Sequence, residues 1–127
     1  MTPYDREFHD PPAPVALVDL INLDTGSALT DVPMLMDTGA DVTLLPAQAV
    51  ARLGLRVDPN AQYELEGFDG SRTTAAAVRA RLSVGGFNFK GQFLCEEREI
   101  GVLGRNILNR FVLELNGPGL AWTLRGS

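Results

Sequence analysis

Glycine and proline interrupt this 127-residue chain so often that no segment runs far before a turn must follow. There are 13 glycines and 8 prolines, and the apolar stretches between them are short and mostly alternate with polar residues. That punctuation excludes a long-helix architecture and favours short strands joined by tight turns. Val15–Leu23 and Pro33–Met36 are expected to form a hairpin around the polar stretch from Asp24 to Thr30. Val42–Leu45 is a further short strand. Ala61–Glu66 and Arg72–Val84 flank Gly67-Phe-Asp-Gly-Ser71, and Gly85-Gly86 turns the chain into Phe87–Cys95. Ile100–Leu103 is another strand, and Phe111–Leu115 with Leu120–Leu124 makes a final hairpin around Asn116-Gly-Pro-Gly119. Helix is expected only at Pro46–Leu53, which has Pro at its start and Gly54 after its end, and for a turn or two at Arg105–Arg110. Many short strands with regular turns imply a mainly β sandwich or barrel.

Length and composition set the bounds. One domain is expected over residues 15–127, preceded by a flexible arm at 1–14, and the chain is long enough to bury a core without staples. The net charge of −5, with no basic stripe, argues against a nucleic-acid partner. No apolar run approaches the ~20 residues of a membrane span. Met1–Pro14 is polar and proline-rich, unlike a signal peptide, so a cytoplasmic location is expected. The single cysteine, Cys95, continues the alternation of Phe87, Phe89 and Phe93, as a structural thiol would. The only histidine, His9, lies in the arm, which makes His-dependent nucleophilic or metal chemistry a poor fit.

Met34-Leu-Met-Asp-Thr-Gly-Ala-Asp-Val-Thr-Leu-Leu-Pro46 carries the chemistry. An apolar run delivers Asp37 onto a turn made of Thr38 and Gly39, and the chain returns at once to apolar sequence. An acid so placed sits rigidly at a strand end, where backbone donors can reach its oxygens. The tripeptide alone is weak evidence, since chance supplies it in on the order of 3% of chains this long. It also occurs at Asp24-Thr25-Gly26, in a polar setting that suits an ordinary hairpin turn. Support for Asp37 comes from a second segment, Ile100-Gly-Val-Leu-Gly-Arg-Asn-Ile-Leu-Asn109, an apolar strand ending in glycine and opening into a short helix.

In this order and spacing the two segments resemble the retropepsin-like aspartic proteases, closest in pattern to the bacterial single-domain members. The resemblance implies a small closed β-barrel and hydrolysis of a polypeptide substrate, with no metal and no cofactor. Such chemistry needs two carboxylates: one ionised, to take a proton from water, and one protonated, to donate to the carbonyl. This chain offers one acid in the right context, so the resemblance implies a symmetric homodimer that shares two copies of Asp37. By position, Thr38 resembles the residue whose hydroxyl braces the dimer axis, and Gly39 the point of close approach to substrate. Ala40 and Asp41 match positions that meet the substrate main chain. Gly67, Phe68, Asp69 and Gly70 occupy the place of the flap that closes over substrate. Val102, Leu103 and Gly104 match the segment packed beside the catalytic loop. Arg105 matches an arginine that ion-pairs with the second aspartate, here Asp41, and Asn106 opens the short helix.

Three departures from the retroviral pattern stand out. The flap carries polar residues at its tip, a helix is expected at Pro46–Leu53, and the chain ends in a hairpin rather than one interleaving strand. The dimer is therefore expected to be weak and to be monomeric without ligand. The rival reading is a catalytically silent module that keeps the fold for dimerisation or peptide binding. In that reading Asp37 is a structural turn aspartate, and Asp41 with Arg105 a plain structural pair.

Overall fold

The computed structural model describes residues 1–67 and 69–126. Among the described residues, ten strands and two short helices follow one another. They are β1 (Thr2–Pro3), β2 (Val15–Ile21), β3 (Ala28–Met36), β4 (Leu44–Pro46), α1 (Ala47–Leu53), β5 (Val57–Glu66) and β6 (Arg72–Val84). After these come β7 (Phe87–Glu96), β8 (Gly101–Leu103), α2 (Arg105–Leu108), β9 (Phe111–Asn116) and β10 (Ala121–Gly126). Period-two patterning drives the strands: along β2, Ala16, Val18 and Leu20 are buried while Leu17 is exposed. Strands β2, β3, β8, β4, β7 and β6 pair in that order, and β6 returns to β2 through Asp19↔Ser83 to Ile21↔Arg81. This closes a six-stranded barrel, with β5 attached outside the ring to β6. A second sheet, in the order β1-β10-β9, holds the terminal hairpin.

The core fills the barrel with Val18, Leu20, Met34, Leu45, Leu82 and Leu103, all essentially buried. Helix α1 begins after Pro46 and ends at Gly54, whose φ of 66° provides the left-handed cap. Its end is tied to the first hairpin by Asn22, which is buried. The Asn22 Nδ2 donates to the Leu53 carbonyl at 3.1 Å, and its Oδ1 accepts the N–H groups of Asp24 and Thr25. The Asp24 turn is thus a structural corner anchored from beneath, and its carboxylate meets Arg56 at the surface, 3.0 Å away.

Two elements differ from expectation. β5 begins at Val57 rather than Ala61, because a register shift between Asp58 and Gln62 absorbs the turn-like Pro59-Asn60. The segment expected as a free arm lies against the terminal hairpin. Thr2 pairs with Trp122 and Pro3 with Ala121, and the Tyr4 N–H donates to the Leu120 carbonyl. Asp5 then closes a loop with Ala13, accepts the Phe8 N–H and meets His9 Nδ1 at 2.8 Å, and the bond to His9 holds its carboxyl below the usual range. Composition alone cannot foresee a pairing made with the far end of the chain. Cys95 is half-buried in β7, and burial, with Glu97 and Glu96 adding, pushes its thiol pKa up, so it is a poor nucleophile. Among the described residues no helix is long and apolar enough to cross a membrane.

Two glycines let β8 and α2 cross the neighbouring strands at backbone contact. A Cβ on Gly101 would lie 2.7 Å from the Leu44 carbonyl oxygen, and one on Gly104 would overlap the Val42 carbonyl and lie 2.9 Å from its nitrogen. Gly104→Ala should therefore destabilise the fold by about 3 kcal/mol or more, since backbone and not a flexible side chain must yield. Gly117→Ala, at a position with open space around it, should change stability little. Asn22→Ala should cost about 2 kcal/mol by orphaning buried groups of the turn and the helix end. Urea unfolding of the three variants measures both effects.

Candidate active site

Asp37 stands where β3 ends beside β8. Parallel pairing runs from Met34↔Gly101 to Met36↔Leu103, and the Asp37 N–H extends it by donating to the Leu103 carbonyl at 3.1 Å. The chain then turns sharply: the Ala40 N–H donates to the Asp37 carbonyl, and the Gly39 N–H donates to Asp37 Oδ1 at 2.8 Å. Backbone and side chain of the acid are both fixed, and the side chain is half-buried.

The second segment clamps this loop from behind. The Arg105 N–H donates to the Ala40 carbonyl at 2.8 Å, and the guanidinium Nη1 donates to the Thr38 carbonyl at 2.7 Å. The expected ion pair between Arg105 and Asp41 is not formed. A carbonyl turned outward by the tight turn takes the guanidinium instead, leaving the exposed Asp41 carboxylate on the groove side. Beneath the loop, the buried Thr43 hydroxyl accepts the Gly104 N–H at 3.1 Å and donates to Asn106 Oδ1 at 2.8 Å. Asn106 is thus a brace rather than the helix opener, since α2 starts at Arg105 with Gly104 as its cap. Thr43 escaped the sequence reading; the one signal for it was a hydroxyl residue inside an apolar strand.

An open groove of about 530 Å³ runs across Asp37. Gly39, Ala40, Asp41 and Val102 line it on the loop side. Leu103 and Gly104 are buried and do not line it. On the opposite side stands the tip of the β5–β6 hairpin, which contributes Leu65, Glu66, Gly67 and Ser71. Of the flap residues singled out from sequence, Gly67 reaches the groove, Asp69 and Gly70 lie on the turn beyond it, and Phe68 falls outside the described residues. Asp69 is occupied with its own turn. Bonds from the Ser71 hydroxyl and from its N–H, the latter at 2.9 Å, hold the Asp69 carboxyl below its usual range. It therefore stays ionised through the mildly acidic range and provides no pH switch there. Sequence reasoning missed Leu35, Leu44 and the pair formed by Arg98 and Glu96, 3.7 Å apart, all of which line the groove. Leu35 could have been found, because it alternates with the buried Met34 and Met36 and so faces away from the core.

Residues 21–107 match the family model described as aspartyl protease, a span that holds both the Asp37 loop and the segment that clamps it. The fold is similar to that of EIAV protease complexed with the inhibitor HBY-793. The TM-score is 0.58 at 23% identity, covering 84% of this chain and 90% of that one. No curated protein matches the chain significantly. With a closed barrel, an Asp-Thr-Gly loop at its strand end and a family match over more than half its length, this chain belongs to the retropepsin-like aspartyl proteases.

Proposed function

We propose that the chain is an aspartic endopeptidase whose active form is a symmetric homodimer, with Asp37 of each protomer meeting at the two-fold axis. The observation that carries this reading is one half-buried carboxylate, fixed through both backbone and side chain, at a groove large enough for a peptide. One such carboxylate is half of a catalytic site. Two of them a few ångström apart share a proton, because both cannot readily ionise. The ionised member takes a proton from water, which attacks the scissile carbonyl, and the protonated member donates to the carbonyl oxygen. The Gly39 N–H holds one Asp37 oxygen in place and leaves the other to face water and substrate.

Thr38, Ala40, Asp41 and the hairpin tip support this reading. Thr38 is exposed, and among the described residues its hydroxyl makes no bond within the chain, so it is available to a second protomer. Asp41 and the backbone of Ala40 flank the extended path of a substrate. The hairpin tip at Gly67 and Ser71 serves as the flap, closing over substrate and excluding water. Its turn is kept in shape by the Asp69 carboxylate and by the Gly67 N–H, which donates to the Ser71 carbonyl.

Digestion of a peptide library between about pH 4 and 7 tests the reading, with mildly acidic activity expected. Asp37→Asn should lower kcat/KM by at least about a thousandfold while leaving the unfolding midpoint nearly unchanged. Asp24→Ala should leave activity within a few-fold, and the reverse pattern would move the catalytic role to the other Asp-Thr-Gly. A silent module would show no cleavage in the wild type.

The shared site also predicts a concentration dependence. Specific activity should fall on dilution through the dimer dissociation constant, and excess Asp37→Asn protomers should poison the wild type. Activity proportional to enzyme in a species that light scattering shows to be monomeric would refute the paired-carboxylate mechanism.

A further inference from the structure

The barrel contains a break that the proposed active site does not use. Along one edge of β6, Val78 pairs with Val57 and Arg81 pairs with Ile21, so among the described residues Arg79 and Ala80 have no ladder partner on that edge. A groove of about 570 Å³ opens at this break, between the end of β2 and the start of β5. It shares no lining residue with the Asp37 groove. The two lie at opposite ends of the β5–β6 ladder, which runs six residue steps along β6 from Val78 to Arg72, roughly 20 Å at ~3.3 Å per strand residue.

The charge around the break runs against that of the chain. Arg81 stands directly opposite Lys90 across the β6–β7 ladder, and Arg79 is two residues away on the same face, opposite Gln92. Like charges facing each other across a ladder are destabilising. All three cations are exposed, and none of them is in an ion pair among the described residues. Arg56 stands at the rim, bound to Asp24, and Asp58 accepts the Asn60 N–H beside it. Among the residues lining the groove, three cations (Arg56, Arg79 and Lys90) stand against two carboxylates (Asp24 and Asp58), a local excess of one positive charge in a chain of net charge −5.

We propose that this groove is a docking site for an acidic segment of another polypeptide, separate from the groove in which Asp37 lies. The carboxylates of such a segment would relieve the repulsion among Arg79, Arg81 and Lys90, the exposed cations at and beside the groove. A nucleic acid suits it poorly, because Asp24, Asp58 and the overall negative charge oppose a continuous line of phosphates. The proposal concerns binding and stands whether or not Asp37 is catalytic.

Fluorescence anisotropy with a labelled oligoglutamate at low salt tests it, with oligothymidylate of equal charge as the comparison. Saturable binding of oligoglutamate is expected, weakened roughly tenfold by Arg79→Gln combined with Lys90→Gln. Asp58→Asn should tighten it by removing an opposing charge, and Asp37→Asn should leave it unchanged. If the double variant loses the wild-type thermal transition, Lys90→Gln alone gives the answer from an exposed position. Three results would each overturn the proposal. They are no oligoglutamate binding, equal weakening by Arg110→Gln outside the groove, and binding of oligothymidylate as tight as that of the peptide.

Discussion

The backbone contact between Gly104 and Val42 is the constraint on which the site depends. It brings the β8–α2 segment against the loop that follows Asp37 with no side chain between them. At that distance main-chain groups can bond directly, and they do: Asp37 to Leu103, Arg105 to Ala40, and Gly104 to the Thr43 hydroxyl. Each of these bonds spans more than sixty residues of sequence, so each restrains the loop against the barrel rather than against itself. A loop held only by its own turn would let the carboxylate wander. Here the acid inherits the rigidity of a strand buried in the core, where Leu103 is fully covered.

Within that frame the electrostatics are arranged to leave carboxylates free. Arg105 is brought against the loop by the β8–α2 crossing, yet it spends a charge-assisted bond on the neutral Thr38 carbonyl. The same bond stiffens the turn from outside and leaves Asp41 without an ion pair among the described residues. At the hairpin tip the logic is reversed. Asp69 is consumed by its own turn through Ser71, which fixes the shape of the tip and withdraws the acid from the groove. Two aspartates that look equivalent in the sequence thus play different parts, and hydrogen-bond partners decide which.

What could be read from the residues was local. Alternation along Val15–Ile21, glycine pairs at turns, and the proline and glycine that bound α1 are short-range signals, and the elements follow them. The Asp37 loop was legible because its apolar flanks contrast with the polar flanks of Asp24, a difference of strand end against corner that the structure reproduces. Long-range choices were not legible. The pairing of Asp19 with Ser83 that closes the barrel, and of Thr2 with Trp122 that lays down the N-terminal segment, each depends on distant partners. Thr43 escaped for the same reason, and so did the partner of Arg105, since the acceptor that each finds is set by a crossing of chains and not by a motif.

One hairpin connects the two grooves. The β5–β6 ladder carries the flap-like turn at one end and the basic break at the other, with a register shift between Asp58 and Gln62 near the break. A bulge of this kind increases local twist and bends the strand. Here it falls at the end of β5 beside the break; among the described residues β5 pairs with β6 alone, while β6 is held on its other edge by β7. The hairpin tip is therefore anchored through a single ladder over its outer half. That half lacks the second ladder by which Ala76–Val84 are held to β7, so it is the more lightly restrained end of the hairpin.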